Sequence, residues 1–274
     1  MPVGLVEQIG RNTNNALAAL GDFSLFVART FLFVVTDGWR WKTIRLLLPQ
    51  AYEVGTRSVP VVAVTGAFIG MVLSIETITQ LKTVEQENRI GSIINVSVVK
   101  QIGPVLAAVM LAGRVGGALT AELGTMNVTE QLDALRVMGT DPVRYLVVPR
   151  FLACIFLTPI LTIYSDLLGV IGAWLVSTRF LGVPEGPYWA YSAQGIETWQ
   201  IMEGIIKSIF FGAAIGLVAC YKGFTCGAGA SGVGRACTDS FVTSFIAIIV
   251  LNFFAARLAQ DWYTMLYGTR SIFG

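Results

Sequence analysis

FLACIFLTPILTIYSDLLGVIGAWLVST, residues 151–178, is a run of 28 residues interrupted by a single charge, Asp166. A helix needs about 20 mostly apolar residues to cross about 30 Å of hydrocarbon, so this stretch reads as a membrane span. Four further stretches meet the same criterion. Residues 59–78 carry only Glu76, and residues 96–119 carry Lys100 near one end and Arg114 towards the other. Residues 205–221 begin beside Lys207, and residues 241–256 hold no charge. The second and fourth of the five have the shortest uncharged cores. The fold class expected is all-α and polytopic, with about five transmembrane helices.

Composition agrees. Of 274 residues, 54% are hydrophobic and 13% charged, against about 25% charged in soluble domains. Too few charges are present to solvate the surface of a cytoplasmic enzyme. A net charge of +2, from 19 basic and 17 acidic residues, leaves no electrostatic footprint for nucleic acid. Histidine is absent, which removes the commonest general base and nitrogen metal ligand. Cys154, Cys220, Cys226 and Cys237 form no C-x-x-C pair and read as reduced, hydrophobe-like thiols.

Orientation follows the excess of Lys and Arg in cytoplasmic loops. With the N-terminus inside, twelve of the 19 basic residues fall on the cytoplasmic side and six outside, Lys100 lying within a span. The C-terminus is then outside. Near the N-terminus, Leu17, Leu20, Phe23, Val27, Phe31 and Val34 recur at three- and four-residue steps. That spacing predicts an amphipathic helix, either along the membrane interface or packed on the spans. Trp39, Arg40, Trp41, Lys42 and Arg45 would follow at headgroup level. The domains expected are residues 1–57 as interfacial helix and connector, 58–258 as a single transmembrane domain, and 259–274 as an outer tail.

The connection from Ala121 to Arg150 is polar and about 30 residues long. Asn127 with Glu130 reads as a capping box, and Gly139 with Pro142 as the stop of a short helix. Val128, Leu132, Leu135 and Met138 form its apolar stripe, and Glu130, Asp133 and Arg136 its polar side. Such a helix covers either the membrane interface and bundle base or a groove on a cytoplasmic partner.

The run GRVGGALTAELGTM (113–126), continuing as NVTEQLDALRVMG (127–139) and DPVRYLVVPR (141–150), strongly resembles the MlaE/YrbE/Tgd-type permease family. Those are membrane subunits of ABC transporters that move phospholipids or other lipids together with MCE-domain proteins. The resemblance extends from GTRSVP (55–60) to the Gly-rich loop ending near Ala236. It implies a homodimer in a bacterial inner membrane, with the C-terminus periplasmic. It also implies a coupling helix at about 127–138 whose Glu130, Leu132, Asp133, Leu135 and Arg136 meet a cytoplasmic ABC ATPase. An MCE-domain lipid-binding partner is implied too, and a small STAS-type subunit is allowed. ATP and Mg would sit on the ATPase, with no cofactor on this chain. The absence of G-x-x-x-x-G-K-[ST] fits that division. Gly227–Gly232 matches G-x-G-x-x-G, but it follows a span instead of a strand and reads as a tight turn.

Ionisable residues inside spans are expensive and are functional candidates by default. Glu76, Lys100 and Gln101 are the candidates for a lipid pathway, with Glu76 and Lys100 expected to pair; simple snorkelling to outer headgroups is the alternative. Relatives often carry Arg-Glu before the Gly-Pro found here at Gly103-Pro104, and Gln near position 76, so this sequence departs at three places. Asp166 could cap a helix break or bond across helices, and Arg114 meets headgroups or a helix C-terminus. Gly66 and Gly70 form a G-x-x-x-G for close packing or a dimer seam. An ion-coupled secondary transporter using Glu76 or Asp166, and a non-transporting scaffold, are the competing functional classes.

Overall fold

A computed structural model describes residues 2–37, 41–83 and 89–267, and among these every regular element is helical. The elements run α1 (Pro2–Asp37), α2 (Trp41–Val54), α3 (Val59–Lys82), α4 (Ile90–Ser97), α5 (Gly103–Leu111), α6 (Gly117–Val128), α7 (Gln131–Val137), α8 (Val148–Arg179), α9 (Glu185–Gly195), α10 (Thr198–Phe224) and α11 (Gly229–Tyr267). Wider π-helical turns at Val98–Ile102 and Ala112–Gly116 join α4, α5 and α6 into one interrupted rod, and a third at Val143–Val147 leads into α8.

Six helical segments of the described residues are long and apolar enough to cross a membrane. Five contain the expected spans, and the sixth is Leu17–Thr36 of α1. The chain is therefore an integral membrane protein whose α1 meets the spanning criterion alongside the other five. One face of α1 packs on the bundle: Phe23 and Phe26 stack edge-on with Tyr221, and Phe31 with Phe151. Trp39 and Arg40 lie outside the described residues.

α8 is the central post, packed against α2, α3, α5 and α10. Its Pro159 loses a backbone hydrogen bond, which neighbouring helices make tolerable inside a bundle. α3 lies against it at the closest approach small residues allow. A Cβ added at Gly70 would sit 1.8 Å from the Gly169 carbonyl oxygen, and one at Gly66 2.6 Å from that of Ser165. The G-x-x-x-G pair thus serves packing within the chain. Further along, Ser74 Oγ and Ser177 Oγ share a 2.6 Å hydrogen bond. α10 flanks α8 on another side, and its start is fixed by a capping box between Glu197 and Gln200.

The apolar core forms three clusters along the bundle. The largest joins α3, α5, α8 and α10 around Leu111, Phe211 and Ile215. At one end Ile78, Ile90, Ala173 and Tyr188 bring together α3, α4, α8 and α9. At the other, Leu123, Leu132, Leu146, Val147 and Cys220 seat α7 on α6, α10 and the π-helical turn that leads into α8. By contrast, α11 exposes Phe245, Ile249, Phe253 and Phe254, and α3 exposes Val64, Phe68 and Val72. In water such surface would aggregate; in a bilayer it is ordinary lipid-facing or subunit-facing wall.

Candidate functional site

A π-helical turn accommodates one extra residue, rotates the side chains beyond it and loosens the carbonyl ladder. The turn at Val98–Ile102 uses that freedom to aim Lys100 and Gln101 at α10. Gly204 makes the approach feasible, because a Cβ there would come within 2.6 Å of the Val99 carbonyl oxygen. Beside that contact, at i and i+4 on the same helix face, stand Glu203, immediately before Gly204, and Lys207, three residues after it.

These four residues form one network. Lys207 Nζ donates to Glu203 Oε1 at 2.5 Å, to Gln101 Oε1 at 3.0 Å and to the Lys100 carbonyl at 3.5 Å. Lys100 Nζ lies 3.7 Å from Glu203 Oε2. The side chains of Glu203 and Lys207 are 3% and 2% exposed, whereas Lys100 keeps 31%. Two cations share one carboxylate, so the cluster carries a net positive charge, and Lys100 is the member open to the surface. An anionic group arriving there would complete the pairing.

This arrangement corrects the expected Glu76–Lys100 pair. Glu76 is exposed on α3, on the same side as Val72 and Ile75, and Lys100 pairs with Glu203 instead. Lys207, at the start of the 205–221 span and one of the six basic residues assigned above to the outer side, is buried. Glu203 escaped the sequence reading because it lies just before the uncharged run; its i,i+4 spacing to Lys207 was the available signal. Gln101 does join the network, through its side-chain oxygen.

The other charges also find roles. Arg114 donates to Ser58 Oγ at 2.7 Å and to the Glu53 carbonyl at 3.5 Å, closing the C-terminal end of α2 as a cation should. Arg150, at the end of the polar connection, is 5% exposed by side chain and bonds Glu122 at 2.6 Å. Asp166 is buried, and its Oδ1 has no hydrogen-bond partner. All four cysteines are free, with Cys154 and Cys220 buried.

The short helix at 127–138 needs correction in detail. α6 continues through Val128, held by Leu123 and Gly124 packed in the bundle, so Asn127 does not cap. Its amide donates to Cys226 Sγ at 3.7 Å instead. Glu130 adopts a left-handed conformation (φ 59°) at the sharp turn, without a side-chain cap, and α7 begins at Gln131. Leu132 is 2% exposed and Leu135 packs beside it, so both anchor α7 to its own bundle. Val128 and Met138 face outward, at 37% and 69% exposure. The outer surface of α7 therefore consists of Gln131, Asp133, Ala134, Arg136 and Val137, with an Arg136–Asp133 pair at 2.6 Å. Gly139, with φ +73°, supplies the expected stop. At the same end of the molecule a polar cavity of about 330 Å³ opens between α10 and α11, beside the glycine turn, and is lined by Lys222, Arg235 and Asp239.

A family profile described as Permease MlaE matches residues 47–258, from within α2 to within α11. The chain belongs to the MlaE permease family. The matched region of this MlaE permease contains the polar network, α7 and all spans after α1. A "Probable ABC transporter permease protein" of Rickettsia prowazekii is 36% identical over 258 residues, covering 94% of this chain and 98% of the relative. The "Intermembrane phospholipid transport system permease protein MlaE" of Haemophilus influenzae is 32% identical, with 92% and 96% covered. The chloroplastic TRIGALACTOSYLDIACYLGLYCEROL 1 protein of Arabidopsis thaliana is 34% identical, with 76% and 60% covered.

Proposed function

We propose that this MlaE-family chain is the permease subunit of an ATP-driven transporter that moves phospholipids or related lipids across or between membranes. The observation that carries the reading is near full-length similarity to a permease named for intermembrane phospholipid transport. Two copies enclose an apolar cavity, and a cytoplasmic ATPase supplies ATP hydrolysis by docking on the outer face of α7 around Asp133 and Arg136. An MCE-domain protein passes lipid at the opposite end, near α9, and a STAS-type subunit completes the cytoplasmic side. The N-terminus lies in the cytoplasm of a bacterial cell, α1 lies along the cytoplasmic interface against the ends of α8 and α10 without crossing, and the five remaining spans hold the chain in the inner membrane with its C-terminus periplasmic. No covalent chemistry falls to this chain.

Supporting features are physical. Apolar helix faces suit acyl chains, while a sugar or ion route needs many polar groups at depth. The net positive network with Lys100 at its open edge suits a phosphate-bearing headgroup. The test is purification of the full chain from its native membrane, followed by mass spectrometry of bound proteins and lipids. Expected are an ABC ATPase, an MCE-domain protein and phospholipid. Recovery of a dimer with neither partner nor phospholipid overturns the reading.

A further inference from the structure

Asp166 has no part in the network above, yet it occupies a demanding position. It lies midway along α8, is 9% exposed, and belongs to none of the ion pairs formed among the described residues. Its Oδ1 is fully buried without a hydrogen-bond partner. A Cβ built on Gly103 would fall 1.7 Å from that oxygen and 2.9 Å from the Val98 carbonyl oxygen. Gly103 closes the π-helical turn by donating its own N–H to Val98. The carboxyl group therefore presses directly on the backbone at the exit of the turn that carries Lys100 and Gln101.

The surroundings are oxygen-rich and uncharged. Thr162, one turn earlier on α8, also has a buried hydroxyl without a partner, and the neighbouring Ser165 faces Gly66 of α3. The charged side chains of the turn and of α10 are engaged with one another on the α10 side. A bare carboxylate here would face carbonyl and hydroxyl lone pairs with no cation, at the largest desolvation cost a side chain can incur. The neutral acid offers one O–H donor. The Val98 carbonyl, already accepting from Gly103, has a second lone pair to receive it.

We propose that Asp166 is a positioning residue that works as a neutral carboxylic acid, its O–H donating to the backbone of the π-helical turn at Val98 and fixing the register in which Lys100 and Gln101 face α10. Only the functional part of this rests on the lipid-transport reading; the protonation state and the contact stand apart from it.

The test uses the purified full chain in phospholipid nanodiscs at neutral pH, comparing wild type with Asp166→Asn by infrared spectroscopy. A protonated-carboxyl stretch should be present in the wild type and missing from the variant, with carboxylate bands unchanged. In lipid transport by the assembled complex, Asp166→Asn keeps a donor and should stay near wild type. Asp166→Val, similar in size without a donor, should fall about tenfold or more, the factor a lost buried hydrogen bond carries. Loss of carboxylate bands in place of the carboxyl band overturns the proposal. So does a folded Asp166→Asn complex as inactive as Asp166→Val, since ionisation would then be required. If Asp166→Val does not assemble, the infrared comparison and the Asn variant still decide. A wild-type complex that moves no lipid refutes the transport reading while leaving the infrared result to judge the protonation state.

Discussion

Replacing Glu203 with Gln removes the only carboxylate from a network that holds two lysines. Lys207 is left with its ammonium 2% exposed and 3.0 Å from a neutral amide oxygen, and Lys100 loses its counter-charge at 3.7 Å. Breaking a buried pair from one side costs about 3–5 kcal/mol, because the surviving charge stays desolvated. Roughly 2–4 °C of melting temperature per kcal/mol then gives a drop on the order of 10 °C for Glu203→Gln. The geometry also names the remedy. Gln101 Oε1 already accepts from the same Nζ that Glu203 Oε1 contacts, so Gln101→Glu sets a carboxylate against Lys207 from the other side without moving either backbone. The double variant Gln101→Glu/Glu203→Gln should regain most of the lost stability, and Gln101→Glu alone should be tolerated, since its carboxylate offsets the net positive charge of the cluster. Thermal unfolding of the purified chain in one detergent, with all four forms measured together, supplies the double-mutant cycle. An unchanged melting temperature in Glu203→Gln, or a double variant no more stable than the single, refutes the electrostatic account of this cluster.

Other positions make sharper demands on packing or charge. Gly70→Ala puts a methyl 1.8 Å from the Gly169 carbonyl oxygen, so α3 must move off α8 and stability should fall by about 1–3 kcal/mol in the same unfolding assay. Arg114→Met removes charge-assisted hydrogen bonds to Ser58 and Glu53 and should cost about 1.5–3 kcal/mol, read by the same method. Arg136→Glu acts on an exposed side chain and should leave stability within about 0.5 kcal/mol while ATPase co-purification falls; Leu132→Asp should instead destabilise the chain itself. Tyr188 is buried in α9, outside the spans, and burial pushes its phenol from 10 to about 12. Its stabilising contribution is complete below pH 10 and disappears as pH rises through about 12, so an absorbance titration should show one phenolate step near pH 12 that Tyr188→Phe lacks.

Some of this was open to reading from residues alone. The length and apolarity of residues 151–178 sufficed to place α8, because a continuous span needs no partner to be recognised. Gly66 and Gly70 announced a close helix contact, and Arg114 announced a helix C-terminus, since both effects are local in chemistry. α7 was located with Leu132 and Leu135 on its covered side and Asp133 and Arg136 outside, but its cover stayed open between the bundle base and a partner, and Val128 and Met138 were wrongly placed with the covered stripe. An apolar stripe states that one side is covered without stating by what, and the cover turned out to be the bundle's own Leu123, Leu146 and Val147. The capping-box reading failed for a related reason: the packing of Gly124 and its neighbours carries α6 past Asn127, and tertiary contact overrides a cap signal worth about 1 kcal/mol.

The misplaced partner of Lys100 has a different origin. Opposite charge at matching depth suggests Glu76, but it does not fix the direction in which Lys100 leaves its helix, and a regular count of about 100° per residue cannot supply that direction across an irregular turn. Each π-helical turn adds one residue to the count and so swings all later positions by about 100° relative to the earlier ones. Two such turns lie between Ile90 and Val128, and each carries a basic residue, Lys100 in the first and Arg114 in the second; a third, before α8, carries Arg144. At the first two, the wider turn directs a cation to a specific acceptor, Glu203 for Lys100 and Ser58 with the end of α2 for Arg114. The irregular turns and the intramembrane charges are thus one feature: the backbone gives up regular hydrogen bonding where a charge must be aimed. Sequence periodicity fails at those same residues because it assumes the regularity that the site has spent.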